Sequence, residues 1–262
     1  GAGDWMLPIG SAPSTHIVKI ASAKHPDLPL NEFICMTAAS AAGLEVARSE
    51  ASDTVSGAFI SERYDRIWSD ESPSMGGFDV PLRLHQEDFC QAAGWPSYMK
   101  YETRPDTCYM DLCGRLIREQ SSNVIADAQT FTRQVMVDYA LGNCDSHLKN
   151  HSFLYSPSWR EKRLAPAYDI VCTTIMGYDH NLGIDIGDHR VIDEVTPEDF
   201  EFMSQDLHLP LKMIKSIAAE VAEGASAQLA ELASATGDLG RVALKIQSDS
   251  VGRMRVLEQF SA

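Results

Sequence analysis

The chain is poor in positive charge, in paired cysteines, in long apolar runs and in glycine-rich loops, and each shortage removes a class of function. Lys and Arg number 22 against 37 Asp and Glu, a formal net charge of −15. Direct nucleic-acid binding needs cations to neutralise phosphates, so it is not expected here; binding of a basic protein partner stays open. The six cysteines (Cys35, Cys90, Cys108, Cys113, Cys144 and Cys172) form no C-x-x-C pair. They read as small core thiols in a reducing compartment rather than as a zinc site or a disulfide framework. Cys144 adjoins Asp145, but nothing nearby would activate it as a nucleophile. No apolar run approaches the ~18 residues of a membrane span, and no secretory leader is visible. A cytoplasmic location is expected. Neither G-x-x-x-x-G-K-[ST] nor a glycine-rich phosphate loop occurs, and Gly1, Gly3 and Gly10 have no useful spacing. What is present suffices for a folded core: apolar residues make up 44% of 262 positions, enough for one large domain or two lobes.

The most informative spacing lies in the middle of the chain. Asp145 and Asn150 are five residues apart, and Asp169 follows nineteen residues later. Phosphoryl transfer from ATP needs three such groups in this order: a carboxylate to orient the attacking hydroxyl, an amide oxygen on magnesium, and a second carboxylate on the metal. Between them, His151–Tyr155 is a short apolar-rich run, Ser156-Pro157-Ser158 has turn chemistry, and Leu164–Ile170 is a second run. A hairpin of that size would carry Asn150 at its entrance and Asp169 at its exit, close enough to share a metal. Asp and Asn also favour ordinary turns, so D-x-x-x-x-N by itself is weak. With the hairpin and the second Asp, an ATP-dependent kinase is the better reading.

Four segments extend it: Thr15–Lys19, Arg83–Gln91, Gly142–Asn150 and Leu164–Ile170. In this order they resemble the HipA family of bacterial toxin serine/threonine kinases, from about residue 5 to the C-terminal helices. The resemblance implies that Asp145 is catalytic, that Asn150 and Asp169 bind magnesium, and that Lys19 contacts the ATP phosphates. It also implies that the backbone at Glu62 and Tyr64 meets adenine, that Asp65 reaches the ribose, and that His147 and Lys149 make further nucleotide contacts. The implied partners are a DNA-binding antitoxin and a protein substrate, an aminoacyl-tRNA synthetase. The family's phosphate loop and regulatory serine precede the segment with which this chain starts. An absent N-terminal portion is therefore expected, and activity of these residues by themselves is in doubt.

Residue chemistry adds to this. Lys19 ends an alternating, β-favouring run, from which its ammonium would act as a point charge for phosphate or simply face water. Glu32 lies early in a helix expected over Leu30–Ala42, stopped by Gly43. It could pair with Lys19, although acids favour helix starts anyway. Between Gly177 and Arg190, His180, Asp185 and His189 could form a metal or substrate platform. A polar loop with a short strand, Leu182–Ile186, is the preferred reading. Pro96–Glu102 also resembles the family, with no role to assign.

The expected fold class is α+β: a protein-kinase-like pair of lobes, a small strand-rich one over residues 1–66 and a larger, mainly helical one over 67–262. Strands are expected at Trp5–Pro8, Thr15–Ile20, Leu44–Ala47, Gly57–Ser61 and Val80–Leu84, with Trp68–Asp79 a connector. Helices are expected over Ala126–Leu141, ended by an αL cap at Gly142, from Thr196-Pro197 onward, around Leu211–Val221 with a break at Gly224, and over Leu239–Phe260. Two other functions fit the same residues: a small-molecule kinase of the aminoglycoside type, and a catalytically impaired scaffold for the antitoxin.

Overall fold

The computed structural model describes residues 6–52, 57–103 and 106–262. Near the N-terminus, β1 (His16–Ile20) is followed by α1 (Leu28–Ala41), β2 (Ser49–Ser52) and β3 (Ala58–Glu62). The three strands form an antiparallel sheet in the order β1–β3–β2, with Lys19 opposite Phe59. Pro29 in the first turn suits the start of α1. Gly43 just beyond its end has φ +79°, a left-handed conformation that glycine adopts without strain.

Two expected strands are corrected here. Met6–Pro8 carry no strand, and Trp5 lies outside the described residues. Leu44–Ala47 does not join the sheet. Its backbone pairs instead with the segment before Asp169: Ala47 N donates to Ala167 O and Ala167 N to Glu45 O, both at 2.8 Å, with a parallel bridge between Val46 and Ala167. Leu44 and Ala47 are buried there, which explains their apolar pattern.

The connector is not wholly irregular. It follows β4 (Arg66–Ile67) and contains β5 (Ser74–Met75) and β6 (Phe78–Asp79), and the expected strand at Val80–Leu84 shrinks to β7 (Leu82–Arg83), paired with β4. Pro81 supplies no N–H to a ladder. Next, β8 (Gln86–Asp88) runs directly into the short α2 (Phe89–Ala92) through a reciprocal cap between Asp88 and Gln91.

Then come α3 (Tyr109–Gln120) and α4 (Val124–Leu141). Gly142 closes α4 at φ +74°, as its sequence implies. The hairpin after it consists of β9 (Ser152–Tyr155) and β10 (Lys162–Leu164), in a sheet ordered β10–β9–β8. The second run therefore leaves the ladder at Leu164 rather than continuing to Ile170. Pro166 ends the pairing, and Ala167 turns to the backbone at residues 45–47.

A second hairpin, β11 (Asn181–Ile186) with β12 (His189–Val191), precedes α5 (Asp199–Asp206), α6 (Leu211–Ala233) and α7 (Gly237–Ser261). Gly224 does not break α6. It lets α6 pass close to α1, since a Cβ there would lie 2.4 Å from the Ala41 carbonyl oxygen. The core lies where α4, α6 and α7 pack together, with Phe131, Tyr139, Ile214, Ile246 and Leu257 fully or nearly fully buried. Of the cysteines, Cys108 is exposed, contrary to expectation, and the other five are buried. No helix among the described residues is long and apolar enough to cross a membrane.

Candidate active site

One charged chain joins three remote segments. Lys19 of β1 places Nζ 2.8 Å from Glu32 Oε1 on α1 and 2.5 Å from Asp169 Oδ1. Burial by itself would lower the Lys19 pKa, but the two carboxylates outweigh it and hold the ammonium above its ordinary value. Burial pushes the Glu32 carboxyl up to about 7 against the pull of Lys19. The Asn150 amide nitrogen lies 3.5 Å from Asp169 Oδ2. Asn150 and Asp169 thus stand together, as the spacing predicted, although the ladder between them is shorter.

The backbone around Asp169 is held on both sides. Ala167 is paired with residues 45 and 47, and Asn31 of α1 clasps Cys172, donating to its carbonyl at 2.9 Å and accepting from its N–H at 2.8 Å. Asp169 itself has φ +60°, uncommon for a residue with a Cβ. Such conformations persist where the surroundings over-determine them, and they cluster at functional sites.

The loop after α4 is anchored from within. The Asp138 carboxylate, buried at 4% exposure, accepts from Asn143 Nδ2 at 2.8 Å and Ser146 Oγ at 2.7 Å, one on each side of Cys144-Asp145. Thr173 ties the loop again: its hydroxyl accepts from Cys144 N at 2.8 Å, and its N–H donates to Gly142 O at 2.9 Å. Behind them, Asp249 of α7 accepts from Thr174 Oγ1 at 2.6 Å and pairs with Arg253. Asp145 projects from this frame with about half of its side chain exposed, accepting from the Tyr101 hydroxyl at 2.5 Å. Burial raises the Cys144 thiol to about 11, so it is not a thiolate nucleophile near neutrality.

Two cavities flank these groups. The first, about 240 Å³, is lined by Lys19, Glu32, Glu62, Tyr64, Asp65 and Asp169 among others. Tyr64 and Tyr168 stack in its wall with ring centroids 5.5 Å apart. The Asp65 oxygens are already held there by Arg63 and Arg66, at 2.8 and 2.6 Å. The second, about 690 Å³, is lined by Asp145 with Tyr101, Tyr178, Asp179 and Arg190.

His147 and Lys149 line neither cavity. His147 Nε2 lies 2.7 Å from Lys100 Nζ and 4.0 Å from Asp145, and burial holds the imidazole below its usual pKa. Lys149 is paired with Asp88 at 2.5 Å. The histidine-rich segment divides its charges: His180 meets Asp193 at 2.5 Å, His189 meets Asp199 at 2.9 Å, and Asp185 faces Arg190 at 3.6 Å. Among the described residues no cluster of three metal-ligating side chains occurs, and the expected short strand at Leu182–Ile186 is present within β11, though paired in a hairpin rather than set in a loop. Tyr101, Lys100 and Asp138 were not singled out from sequence. Tyr101 and Lys100 lie in the Pro96–Glu102 segment, whose contacts with the loop are more than forty residues away along the chain.

Residues 4–229 match the family of HipA-like C-terminal domains. This chain belongs to that family. Among HipA-like relatives, the provisionally named kinase Y4mE of Sinorhizobium fredii is 28% identical over 239 residues, covering 90% of this chain and 54% of that protein. The serine/threonine-protein kinase toxin HipA of Shewanella oneidensis is 28% identical over 243 residues, covering 85% of this chain and 52% of that one. The chain thus spans about half the length of the curated relatives it matches.

In structure, it is similar to Shewanella oneidensis HipA from a complex with HipB and operator DNA, with a TM-score of 0.75 at 24% identity, covering 95% of this chain and 60% of that one. The Helicobacter pylori proinflammatory kinase CtkA gives a TM-score of 0.55 at 11% identity over 94% of this chain and 90% of that one. These two likenesses establish a shared mixed helix-and-strand fold. The HipA-like family to which the chain belongs includes toxin kinases.

Proposed function

We propose that this chain is the catalytic part of a magnesium- and ATP-dependent serine/threonine protein kinase, the toxin of a bacterial toxin–antitoxin pair. Residues 1–66 form its small lobe and residues 67–262 its larger, mainly helical lobe, with ATP between them. The observation that carries this reading is the Lys19–Glu32–Asp169 chain with Asn150 beside it, on the same loop system as Asp145. A cation for phosphate, a carboxylate that holds the cation, and an acid–amide pair for metal are what phosphoryl transfer requires.

Asn150 and Asp169 fit magnesium by their donor chemistry. Magnesium takes one or two protein oxygens and keeps waters or phosphates for the rest. Asp169 Oδ2 and, after a half-turn of the amide, Asn150 Oδ1 would hold it, leaving Asp169 Oδ1 to Lys19. When bound, the ion supplies charge neutralisation on the phosphate oxygens. Lys19 steadies the phosphates as a point charge, and Glu32 fixes its direction. The backbone of Glu62 and Tyr64 would meet adenine beside the Tyr64 ring. Asp145 accepts the proton of a protein serine or threonine hydroxyl and aims its oxygen at the γ-phosphorus. Positioning and electrostatics do most of the catalysis.

The acceptor expected from the family resemblance is an aminoacyl-tRNA synthetase. The crystallised Shewanella HipA complex with HipB supports a DNA-binding antitoxin as the partner, one that would contribute the basic surface this acidic chain lacks. The test is calorimetric titration of ATP, with and without magnesium, on the protein and on Asp169→Ala. Magnesium-dependent binding that weakens roughly tenfold or more in the variant is expected, the loss of a charged contact of ~1.5–3 kcal/mol. Equal binding by both proteins, indifferent to magnesium, would overturn the reading.

A further inference from the structure

A kinase that uses Asp145 must present one of its carboxylate oxygens to an acceptor hydroxyl. In this structure one of the two, Oδ1, is taken. The Tyr101 hydroxyl donates to Asp145 Oδ1 at 2.5 Å, the same kind of bond that an acceptor hydroxyl would make. Tyr101 is 37% exposed, so its ring is not a core element. It rests edge-on against His147, centroids 5.0 Å apart, with Lys100 Nζ 4.7 Å from its ring centre.

The backbone on either side of Tyr101 is fixed. Lys100 O accepts from Leu148 N at 3.1 Å, in the loop that carries Asp145, and Glu102 N donates to Gly183 O of β11 at 2.9 Å. Glu102 itself is buried, and its carboxylate accepts from Tyr109 N and Asp185 N at 3.0 and 2.9 Å. Any displacement of the phenol is therefore a rotation of its side chain, a motion of picoseconds to nanoseconds in partly exposed residues. Space for it exists: Tyr101 and Asp145 both line the 690 Å³ cavity with Thr103, Tyr178, Asp179 and Arg190. That volume falls within the range of ligand sites, about 300–1,000 Å³.

We infer that Tyr101 stands in for the phosphoryl acceptor in the free protein, and that the cavity beside it receives the hydroxyl-bearing side chain of a protein substrate once the phenol rotates away. The inference rests on the kinase reading above. It makes Tyr101 a brake on wasteful turnover, because a water oriented at Oδ1 must also displace the phenol. Burial and the neighbouring Asp145 raise the phenol's pKa, so it remains a donor throughout the neutral range.

The experiment measures ADP and phosphate release from magnesium-ATP by the complete protein, as wild type, Tyr101→Phe and Asp145→Asn. In this reaction a water oxygen bonds to the γ-phosphorus, the bond to the β–γ bridging oxygen breaks, and Asp145 receives a water proton. The phenylalanine keeps the ring against His147 and removes the hydroxyl. Because a hydrogen bond to a charged group must otherwise be displaced, the Tyr101→Phe rate should rise roughly tenfold or more, while Asp145→Asn falls. An unchanged or lower rate in Tyr101→Phe overturns the inference. Calorimetric binding of magnesium-ATP to the same three samples separates the two claims. Intact binding with no rise in rate sinks the inference and leaves the kinase reading standing; absence of binding in all three sinks both.

Discussion

The cavity at Lys19 and the cavity at Asp145 are assembled from different ranges of the chain. At Lys19, the partners lie 13 and 150 residues away, and one ammonium is held between two carboxylates, of which Glu32 is buried and Asp169 half-exposed. At Asp145, the carboxylate sits on the loop from Gly142 to Asn150, which Asp138, Thr173 and Asp249 brace, and it meets solvent and one phenol. On the proposed reading, the nucleotide side is organised before anything binds, whereas the acceptor side holds a bond that can be exchanged. A phosphoryl donor of constant shape suits the first arrangement, and acceptors delivered by another macromolecule suit the second.

The comparison breaks most visibly at Asp145. Asp145→Asn should reduce acceptor phosphorylation by ~10²–10⁴-fold, the usual share of a general base, while calorimetry finds magnesium-ATP affinity within about twofold of wild type. A large loss of ATP affinity would mean that the two cavities are one functional unit. On the other side, Glu32→Gln removes one of the two carboxylates on Lys19. Magnesium-ATP affinity should weaken roughly tenfold, by the ~1.5–3 kcal/mol of a charged hydrogen bond; unchanged affinity would leave Asp169 as the sole determinant of the lysine's position.

The smallest effect concerns the frame of the loop. Burial raises the Asp138 carboxyl from 3.8 to about 7. Between those values the folded protein keeps a proton that the unfolded chain releases, so this group's contribution to stability falls as pH rises from about 4 to about 7. The slope is at most ~1.4 kcal/mol per pH unit. Urea melts of Asp138→Asn across that window should show a flatter dependence than wild type, and equal slopes would show that the carboxyl titrates normally.

What could be read in the sequence follows the same division. The D-x-x-x-x-N spacing, the Gly142 cap and the long C-terminal helices are local patterns, in which neighbouring residues decide the outcome. Asp138 looks like any helix position until Asn143 and Ser146 fold back on it. Tyr101 lies in Pro96–Glu102, which resembles the family, but its role is not legible there because its partner is 44 residues away. Leu44–Ala47 has the apolar content of a strand but spends it on the segment before Asp169, and Gly224 signals a break where the fold uses it for a close approach. Glu32 is ambiguous for a related reason: an acid expected early in a helix needs no partner, and its lysine arrives from another element.

The position of α7 bears on where this protein can be cut. The family match ends at residue 229, yet Asp249 and Arg253 lie beyond it and buttress the segment that holds the Asp145 loop. Val242, Ile246, Leu257 and Phe260 are buried as well. A fragment trimmed at residue 229 would expose that apolar face and loosen the back of the loop, so the region beyond the family match is, for anyone preparing the protein, not dispensable.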